Sequence, residues 1–268
     1  MWSGRAPGKV ILLGEHAVVY GYRAIAAAVD LCTVVKLRDR PGKLTIESSK
    51  IEDNRLLPAL ATLLPAEGIG VSIKSDLPIG CGMGSSAALA VATVRALAAR
   101  EGRVAGFAEC YEKGFALEKV FHGNPSGLDH AVSAIGGPVV YRRGEPAESL
   151  PFPKPIRLVV ANTGVPGNTA DMVANVRARN PEAELLRLGA LAEMAAARLA
   201  TGQSIGEFMH EAHRLLRRIG VSTPALDELC RAMTSAGATG AKLAGAGGGG
   251  FGVWGECGGV GAGFRVGW

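Results

Sequence analysis

The feature that most constrains this chain is a glycine-rich loop placed directly before an apolar helical pattern. The loop reads Pro78-Ile79-Gly80-Cys81-Gly82-Met83-Gly84-Ser85-Ser86-Ala87, and an Ala/Leu/Val segment follows it. Glycine lets a ligand approach the backbone closely, and the free amide N–H groups at a helix N-terminus attract anions. The pattern therefore indicates a phosphate-binding loop. A plain glycine-rich turn with a serine N-cap is the alternative.

Two better-known nucleotide motifs are excluded by the residues around this loop. No lysine precedes the two serines, as a Walker A motif requires. A dinucleotide fingerprint needs a strand–turn–helix opening and an acid about 20 residues further on. The nearest acid, Glu101, ends the helix and lies in no evident strand. The loop therefore belongs to another lineage of phosphate loop.

The composition is that of a globular protein with a mostly aliphatic core, since only 5% of the 268 residues are aromatic. A net charge of +5 suits anionic small molecules, and no Lys/Arg run with interleaved aromatics indicates a nucleic-acid partner. Five widely spaced cysteines without a Cys-x-x-Cys pair indicate reduced thiols. With no signal peptide and no apolar span, we expect a cytoplasmic protein without a membrane partner.

Strand and helix patterns mix without a regular βαβ repeat, which predicts an α+β fold in two domains. The stretch Pro151-Phe152-Pro153-Lys154-Pro155 is the best linker, so the predicted domains are residues 1–152 and 153–268. Strands are predicted at 9–13, 25–29, 33–37, 44–48, 71–75, 138–141, 156–161, 241–244 and 251–254. Helices are predicted at 53–64, 85–100, 106–121, 128–135, 182–200, 204–219 and 224–236.

A second informative stretch lies near the N-terminus. Lys9 opens an otherwise apolar strand, so its ammonium must either reach solvent or meet an anion. Glu15 and His16 follow Gly14 at the end of that strand, a favoured place for site residues. A turn with two exposed polar residues is the alternative interpretation.

Two carboxylates flank a strong turn signal further along the chain. Glu118 lies late in one predicted helix and Asp129 early in the next, with Asn124-Pro125-Ser126-Gly127 between them. Such a pair suits a metal ligand and a general base. The alternatives are a surface position for Glu118 and a first-turn position for Asp129 favoured by the helix dipole. We interpret His122 and His130 as hydrogen-bonded loop residues rather than metal ligands.

A fourth block combines the predicted strand 241–244 with a run of glycines that includes Gly247 and ends at Gly250. So many glycines at a strand turn imply that something approaches the backbone closely. That partner is either a phosphate or another strand.

Taken in this order, the four blocks resemble one family. The chain is similar to the small-molecule kinases of the GHMP superfamily, and within them to the mevalonate kinases, over residues 4–253. The first motif corresponds to residues 9–21, the phosphate loop to 80–88 and the third motif to 241–250. The form Gly-Glu-His-Ala-Val-Val-Tyr-Gly at 14–21 and the segment 162–169 are most like the mevalonate kinases.

The resemblance implies a reaction and a role for individual residues. It implies ATP-dependent phosphorylation of the primary hydroxyl of mevalonate to 5-phosphomevalonate, in isoprenoid precursor biosynthesis. Asp129 matches the catalytic aspartate that accepts the hydroxyl proton, and Lys9 matches the lysine beside it, which favours ionised Asp129. Ser85 and Glu118 match the Mg²⁺ ligands.

The resemblance also implies the binding positions and the fold. The expected positions around ATP are Pro78, Gly80, Gly82, Met83, Gly84, Ser85, Ser86 and Ala87. The expected positions near the substrate are Glu15, His16, Thr169 and Gly247. Among these, His16 is a candidate for holding the mevalonate carboxylate, together with helix-terminal amides. The implied fold is a GHMP kinase N-terminal α+β domain with the phosphate loop and a ferredoxin-like α+β C-terminal domain.

The chain departs from the family pattern in two places. Many mevalonate kinases have a basic residue where this chain has Gly167. The family usually continues past residue 255 into a helix and a last strand, whereas the tail here is too rich in glycine to form a stable helix. We expect residues 264–266 to be a remnant of that strand.

Two alternative functions stay open beside the mevalonate kinase reaction. One is a GHMP kinase for another hydroxylated metabolite, such as phosphomevalonate or homoserine. The other is a catalytically silent homologue that binds ATP or an isoprenoid. The expected partners are therefore ATP and a small molecule, without nucleic acid or membrane, and homodimers are common in this family.

Overall fold

The computed structural model describes residues 1–48, 53–78, 82–122, 126–153, 156–165, 167–255 and 264–266. The strands are β1 (Trp2–Leu13), β2 (Ala24–Lys43), β3 (Thr45–Ser48), β4 (Glu67–Ser75), β5 (Pro138–Tyr141), β6 (Glu148–Ser149), β7 (Ile156–Asn162), β8 (Gly240–Ala244), β9 (Phe251–Gly255) and β10 (Phe264–Val266). The helices are α1 (Leu56–Leu60), α2 (Ser85–Arg100), α3 (Phe107–His122), α4 (Leu128–Ile135), α5 (Thr169–Arg179), α6 (Glu182–Ala200), α7 (Gly206–Arg218) and α8 (Pro224–Ser235).

The chain forms two compact units, and each of them is built from separate stretches of sequence. The first unit comprises Met1–Lys9, Asp30–Ile79 and Gly84–Gly136, and the second comprises Val10–Val29, Gly80–Met83 and Gly137–Trp268. The single domain boundary at residues 152 and 153 that the sequence suggests stays a prediction.

The first unit contains the four helices α1 to α4 and part of a sheet. In that sheet β2 pairs with β4 antiparallel, from Thr33 opposite Ser75 onward, and β3 pairs with β4 in parallel. Helix α2 packs against both α3 and α4. Gly4 of β1 lies so close to α2 that a Cβ there would come within 2.0 Å of the Ala92 carbonyl oxygen. Glycine at this position therefore lets the start of β1 lie directly on α2.

Two hydrogen bonds fasten β1 to the helices of the first unit. The Ser133 hydroxyl of α4 donates to the Pro7 carbonyl at 2.9 Å. The Arg95 guanidinium of α2 donates to the Arg5 carbonyl at 2.8 Å and to the Ala134 carbonyl at 2.9 Å. These bonds hold this β1 segment against α2 and the C-terminal turn of α4.

The second unit contains a sheet with the strand order β10-β7-β9-β8, with α7 and α8 packed on β8. Helix α7 approaches the strand very closely, because a Cβ on Gly240 would lie 2.4 Å from the Cα of Gly206. In the same unit, the first residues of β2 pair antiparallel with β5, and β5 pairs with β6. Helix α6 packs against a short 3₁₀ turn, Ala17–Tyr20.

Most predicted elements are confirmed, with informative differences. The strands predicted at 25–29 and 33–37 form one long strand, β2, in which the exposed Asp30 follows six consecutive buried residues. The helix predicted over 53–64 is confined to α1. Helix α5 was not predicted. The remnant strand at 264–266 is confirmed as β10, which pairs antiparallel with β7, whereas tail residues 256–263 lie outside the described residues.

In the part of the chain that the structure describes, no helix combines the length and apolar character needed to cross a bilayer. The described cysteines, Cys32, Cys110 and Cys230, are all free and buried.

Candidate active site

The first unit contains a lysine–aspartate ion pair, Lys9–Asp129. Lys9 Nζ of β1 lies 3.0 Å from Asp129 Oδ1, in the first turn of α4. The lysine side chain is 3% exposed and the aspartate side chain 30% exposed. Lys9 thus meets an anion instead of reaching solvent, and Asp129 keeps part of its surface accessible.

The backbone of Gly84 makes room for this lysine. Gly84 has a left-handed φ of 69°, and a Cβ at this residue would lie 2.9 Å from Lys9 Cγ. Only glycine adopts this conformation without strain and leaves space for the lysine stem. A side chain at Gly84 would therefore displace Lys9.

Glu118 is the second carboxylate of the first unit, and it is buried rather than on the surface. Its side chain is 1% exposed, so the surface interpretation is wrong. Ser86 Oγ donates to Glu118 Oε1 at 2.6 Å, and His130 Nδ1 lies 3.1 Å from Oε2. A carboxylate can only accept here, so the Nδ1 nitrogen of His130 carries the proton.

His130 itself lies in a closed aromatic setting. The ring is fully buried in α4, with the Tyr111 ring centroid at 4.5 Å and the Phe115 ring centroid at 5.0 Å. The loop position that we expected for His130 is therefore wrong, whereas its hydrogen bond is confirmed. The side chain of His122 lies outside the described residues.

The oxygen donors of Ser86 and Glu118 fit a hard divalent cation. Carboxylate and hydroxyl oxygens are the ligands that Mg²⁺ prefers, and Mg²⁺ commonly binds few protein groups. Across the described ranges, no group of three or more His, Cys, Asp or Glu side chains is arranged to hold a metal. Any Mg²⁺ here would therefore complete its coordination with ligand phosphates and water.

The phosphate loop leads into α2 with glycine at the cap. Gly84 is the N-cap residue and no side chain caps the helix, so the serine N-cap alternative is wrong. Gly82 and Gly84 both have positive φ, and Met83 is buried. The amides of Ser85, Ser86 and Ala87 are in the first helical turn, which has no intrahelical acceptors for its N–H groups. Pro78 is described as half-buried, whereas Gly80 lies outside the described residues.

A second lysine–carboxylate pair lies inside the second unit. Lys242 Nζ of β8 binds Glu15 Oε1, and it also donates to the Leu243 carbonyl at 2.7 Å. The side chains of Lys242 and Glu15 are 0% and 1% exposed. The interpretation of Glu15 and His16 as exposed turn residues is therefore wrong.

His16 is held in an unusual backbone conformation. Its φ of 59° is positive, and its Nε2–H donates to the Ala246 carbonyl at 2.8 Å. Strained backbone of this kind is typical of functional sites. Burial lowers the pKa of the His16 imidazole below its usual 6.5. The ring is therefore neutral at neutral pH, so it does not supply the cation that a substrate carboxylate would need.

The glycine-rich turn after β8 is approached by the protein's own backbone. A Cβ on Gly247 would lie 2.1 Å from the Val221 carbonyl oxygen, and a Cβ on Gly167 would lie 2.5 Å from the Gly247 carbonyl oxygen. These close partners of Gly247 are loop residues, so the contacts do not support the alternative that another strand approaches this glycine. Thr169 is exposed at the start of α5, next to the N-cap Asn168.

Sequence reasoning missed two of these partners. Ser86 rather than Ser85 contacts Glu118. The sequence pattern places Lys242 in a strand but gives it no role. A lysine inside an apolar strand was the available signal for Lys242, as it was for Lys9. Its partner Glu15 lies 227 residues away in the chain, which local patterns do not reveal.

Comparison with known families and proteins gives one consistent result. Residues 54–137 match the family model of the GHMP kinases N terminal domain, and residues 188–253 match that of the GHMP kinases C terminal. The mevalonate kinase of Pyrococcus abyssi is 38% identical over an alignment that covers 91% of this chain and 85% of that protein.

Solved structures agree with this. The L. major mevalonate kinase in complex with R-mevalonate superimposes with a TM-score of 0.87 at 28% identity, covering 96% of this chain and 88% of that one. The Methanococcus jannaschii mevalonate kinase gives a TM-score of 0.80 at 26% identity, covering 94% of this chain and 89% of that one.

Proposed function

The chain belongs to the mevalonate kinases of the GHMP kinase family, and on that premise we propose that it transfers the γ-phosphoryl group of ATP to the primary hydroxyl of mevalonate. The products are 5-phosphomevalonate and ADP. The fold is the two-domain α+β GHMP kinase fold. The observation that carries the proposal is the Lys9–Asp129 pair, a partly exposed carboxylate beside a buried ammonium.

Asp129 is the proposed acceptor of the hydroxyl proton. Its side chain is 30% exposed, so it can be reached by a substrate hydroxyl, and the Lys9 ammonium lies beside it. General base assistance of this kind typically contributes about 10²- to 10⁴-fold to the rate. Lys9 would also stabilise negative charge on the oxygen that attacks the phosphorus.

Glu118 and Ser86 are the residues that would hold Mg²⁺, since their oxygens are already in contact. Ser85 is kept as a predicted ligand from the resemblance. When bound, Mg²⁺ neutralises charge on the phosphates and orients them. His130 holds the other oxygen of Glu118 and thereby sets the direction of the carboxylate.

The loop before α2 is the proposed ATP phosphate site. The amides of Ser85, Ser86 and Ala87 carry the partial positive charge of a helix N-terminus, and the exposed Gly82 leaves its part of the loop backbone uncovered. Gly80, Met83 and Pro78 remain assigned to ATP by the resemblance.

Glu15, His16, Thr169 and Gly247 are the proposed mevalonate positions. Because His16 is buried and neutral, we assign it to hydrogen bonding and shape rather than to charge. Gly167 adds no cation, and its contact with Gly247 leaves no space for a side chain. Cytoplasmic location and a homodimer remain predictions from the sequence.

The experiment that tests the proposal is ADP release by the purified chain with Mg²⁺-ATP and one acceptor at a time. Mevalonate, phosphomevalonate, homoserine and galactose form the panel. We expect release with mevalonate and identification of 5-phosphomevalonate by ³¹P NMR. Release with another acceptor would refute the substrate assignment. No release with any acceptor, from folded protein that binds ATP, would indicate a silent homologue.

A further inference from the structure

One buried cluster in the second unit has no part in the proposed chemistry. It is centred on His213 of α7, whose Nε2 lies 3.1 Å from Asp227 Oδ1 of α8. The Leu243 backbone N–H of β8 donates to His213 Nδ1 at 3.3 Å, and Cys230 Sγ lies 3.8 Å from the same nitrogen. The imidazole thus touches three elements at once.

The hydrogen bonds fix where the ring carries its proton. Because the Leu243 N–H can only donate, Nδ1 of His213 is the acceptor, and Nε2–H donates to Asp227. Asp227 is itself held by the Ser222 hydroxyl at 2.6 Å and by Arg217 Nε at 2.8 Å. Burial lowers the pKa of His213 below 6.5, although Asp227 opposes the shift. The neutral ring is therefore the form that the cluster holds.

The burial of Cys230 argues against a nucleophilic role for this cysteine. A Cys–His–Asp set suggests a nucleophile, yet burial raises the pKa of the Cys230 thiol to about 12. A thiol of that kind is not ionised at neutral pH and is inert. The geometry must therefore serve something other than covalent chemistry.

The partners of Glu15 and His16 lie on or just beyond β8, the strand that His213 contacts. Strand β8 is the last strand of its sheet, so the N–H of Leu243 faces away from β9 and needs another acceptor. The preceding residue, Lys242, binds Glu15, and Ala246 just beyond the strand accepts from His16. The position of β8 therefore sets both contacts.

The packing around β8 leaves little freedom for adjustment. Gly206 at the start of α7 and Gly240 at the start of β8 are in backbone contact, with 2.3 Å between the Gly206 carbonyl oxygen and an ideal Cβ on Gly240. Helix α7 is thus in direct contact with the strand at its beginning, and His213 adds a second attachment two turns later.

We propose that His213, oriented by Asp227, is a positioning residue that fixes β8, so that Lys242 and Ala246 hold Glu15 and His16 in place for the substrate. This inference rests on the proposed function for the identity of the substrate. His213 touches neither substrate nor cofactor and acts only through the strand.

The kinetic test compares His213→Leu and His213→Gln with wild type. Leu keeps the size of the ring and removes both hydrogen bonds, whereas Gln retains one acceptor and one donor. For His213→Leu we expect the KM for mevalonate to rise on the order of 10-fold, within the ~100-fold that a 1 Å misplacement costs. The KM for ATP stays unchanged, and Gln restores most of the mevalonate affinity. His210→Leu, on the same helix, is the matched control.

The pH profile adds a readout that general destabilisation does not change. The groups facing His213 are Asp227 and Cys230 of α8, Arg217 of α7 and Lys242 of β8. Protonation of Nδ1 at acid pH removes the acceptor of the Leu243 N–H and adds charge near Lys242. Because burial lowers the pKa of His213, the KM for mevalonate should rise in wild type only at pH values lower than the usual 6.5 of histidine, and it should rise less in His213→Gln. Identical profiles would overturn the inference.

An activity-independent measurement separates this inference from the proposed function. In ¹⁵N-histidine NMR of the full chain, we expect His213 with Nδ1 unprotonated, and we expect His213→Leu to shift the Nε2–H signal of His16. An unchanged His16 signal in folded His213→Leu would refute the positioning role even if the enzyme is active. A shifted signal in a protein that does not phosphorylate mevalonate would support positioning and refute the substrate.

Discussion

Two lysine–carboxylate pairs in this protein share their chemistry and differ in exposure. The open pair, Lys9–Asp129, leaves its carboxylate 30% exposed, whereas the closed pair, Lys242–Glu15, has both side chains buried. A proton acceptor must reach its substrate, so only the open pair suits catalysis. The closed pair joins two distant segments of chain. A carboxylate suited to accept a substrate proton thus keeps part of its surface accessible, whereas the buried pair holds its carboxylate in place.

The largest effect is expected when the open pair loses its lysine. Lys9→Met removes the ammonium that lies 3.0 Å from Asp129 and that would stabilise the attacking oxygen, so kcat should fall by about 10² or more. The free energy of unfolding should change little, because Asp129 can be hydrated. Steady-state kinetics and urea unfolding measure the two quantities, with the exposed Lys36→Met as control. Near-normal kcat would remove Lys9 from the mechanism.

Removal of the lysine from the closed pair should lower the free energy of unfolding. Lys242→Met leaves the Glu15 carboxylate buried without its lysine, which typically costs about 3–5 kcal/mol. Adding Glu15→Gln to Lys242→Met should recover much of that loss, because no buried charge remains. Urea unfolding of the three proteins is the measurement. Full stability of the single variant would show that the closed pair does not support the fold.

A substitution in the loop should damage the open pair indirectly. Gly84→Ala introduces a Cβ 2.9 Å from Lys9 Cγ and forces alanine into positive φ, a backbone strain of about 1–2 kcal/mol. Gly102→Ala has a similar φ of 72° with no atom within 4 Å of the added Cβ. We expect similar losses of stability and a lower kcat only for Gly84→Ala. Equal kcat values would show that the glycine does not position Lys9.

The smallest effect is expected beside the closed pair, in the pH dependence of stability. Because burial lowers the pKa of His16 below 6.5, the unfolded chain binds more protons between that lowered value and 6.5. The free energy of unfolding should therefore fall as pH decreases through this window. His16→Gln should make that decrease less steep, as measured by urea unfolding from pH 7 to 5. A steeper decrease would contradict the sign.

Helices with a clear local pattern of apolar residues can be predicted from the sequence. The predicted bounds of helix α2 agree with those observed, because two serines and then an Ala/Leu/Val run follow Gly84. Helix α5 was missed because Val176 is its only residue described as buried, so it lacks an apolar stripe. Its one clear signal was Asn168, whose side chain accepts from the amides of Ala170 and Asp171.

The sequence indicates which residues are candidates for the site, but it does not show which of them contact each other. The roles of Lys9, Glu118 and Asp129 were proposed from residue type, spacing and family resemblance, and they remain proposals. Lys242 and His213 could not be assigned, because their partners lie far away in the chain. Local periodicity carries no information about which distant carboxylate a buried lysine meets. Burial also lowers the pKa of His16, so that its ring is neutral at neutral pH. Residue type alone does not reveal this burial.

The most direct test of the open pair is ADP release by Asp129→Asn with saturating mevalonate and Mg²⁺-ATP, measured beside wild type. Asn is nearly the same size and cannot accept the hydroxyl proton as a base. The account predicts a loss of kcat of about 10²- to 10⁴-fold, with an unchanged KM for ATP and an unchanged urea midpoint. Turnover within a few fold of wild type would contradict the assignment of Asp129 as the proton acceptor.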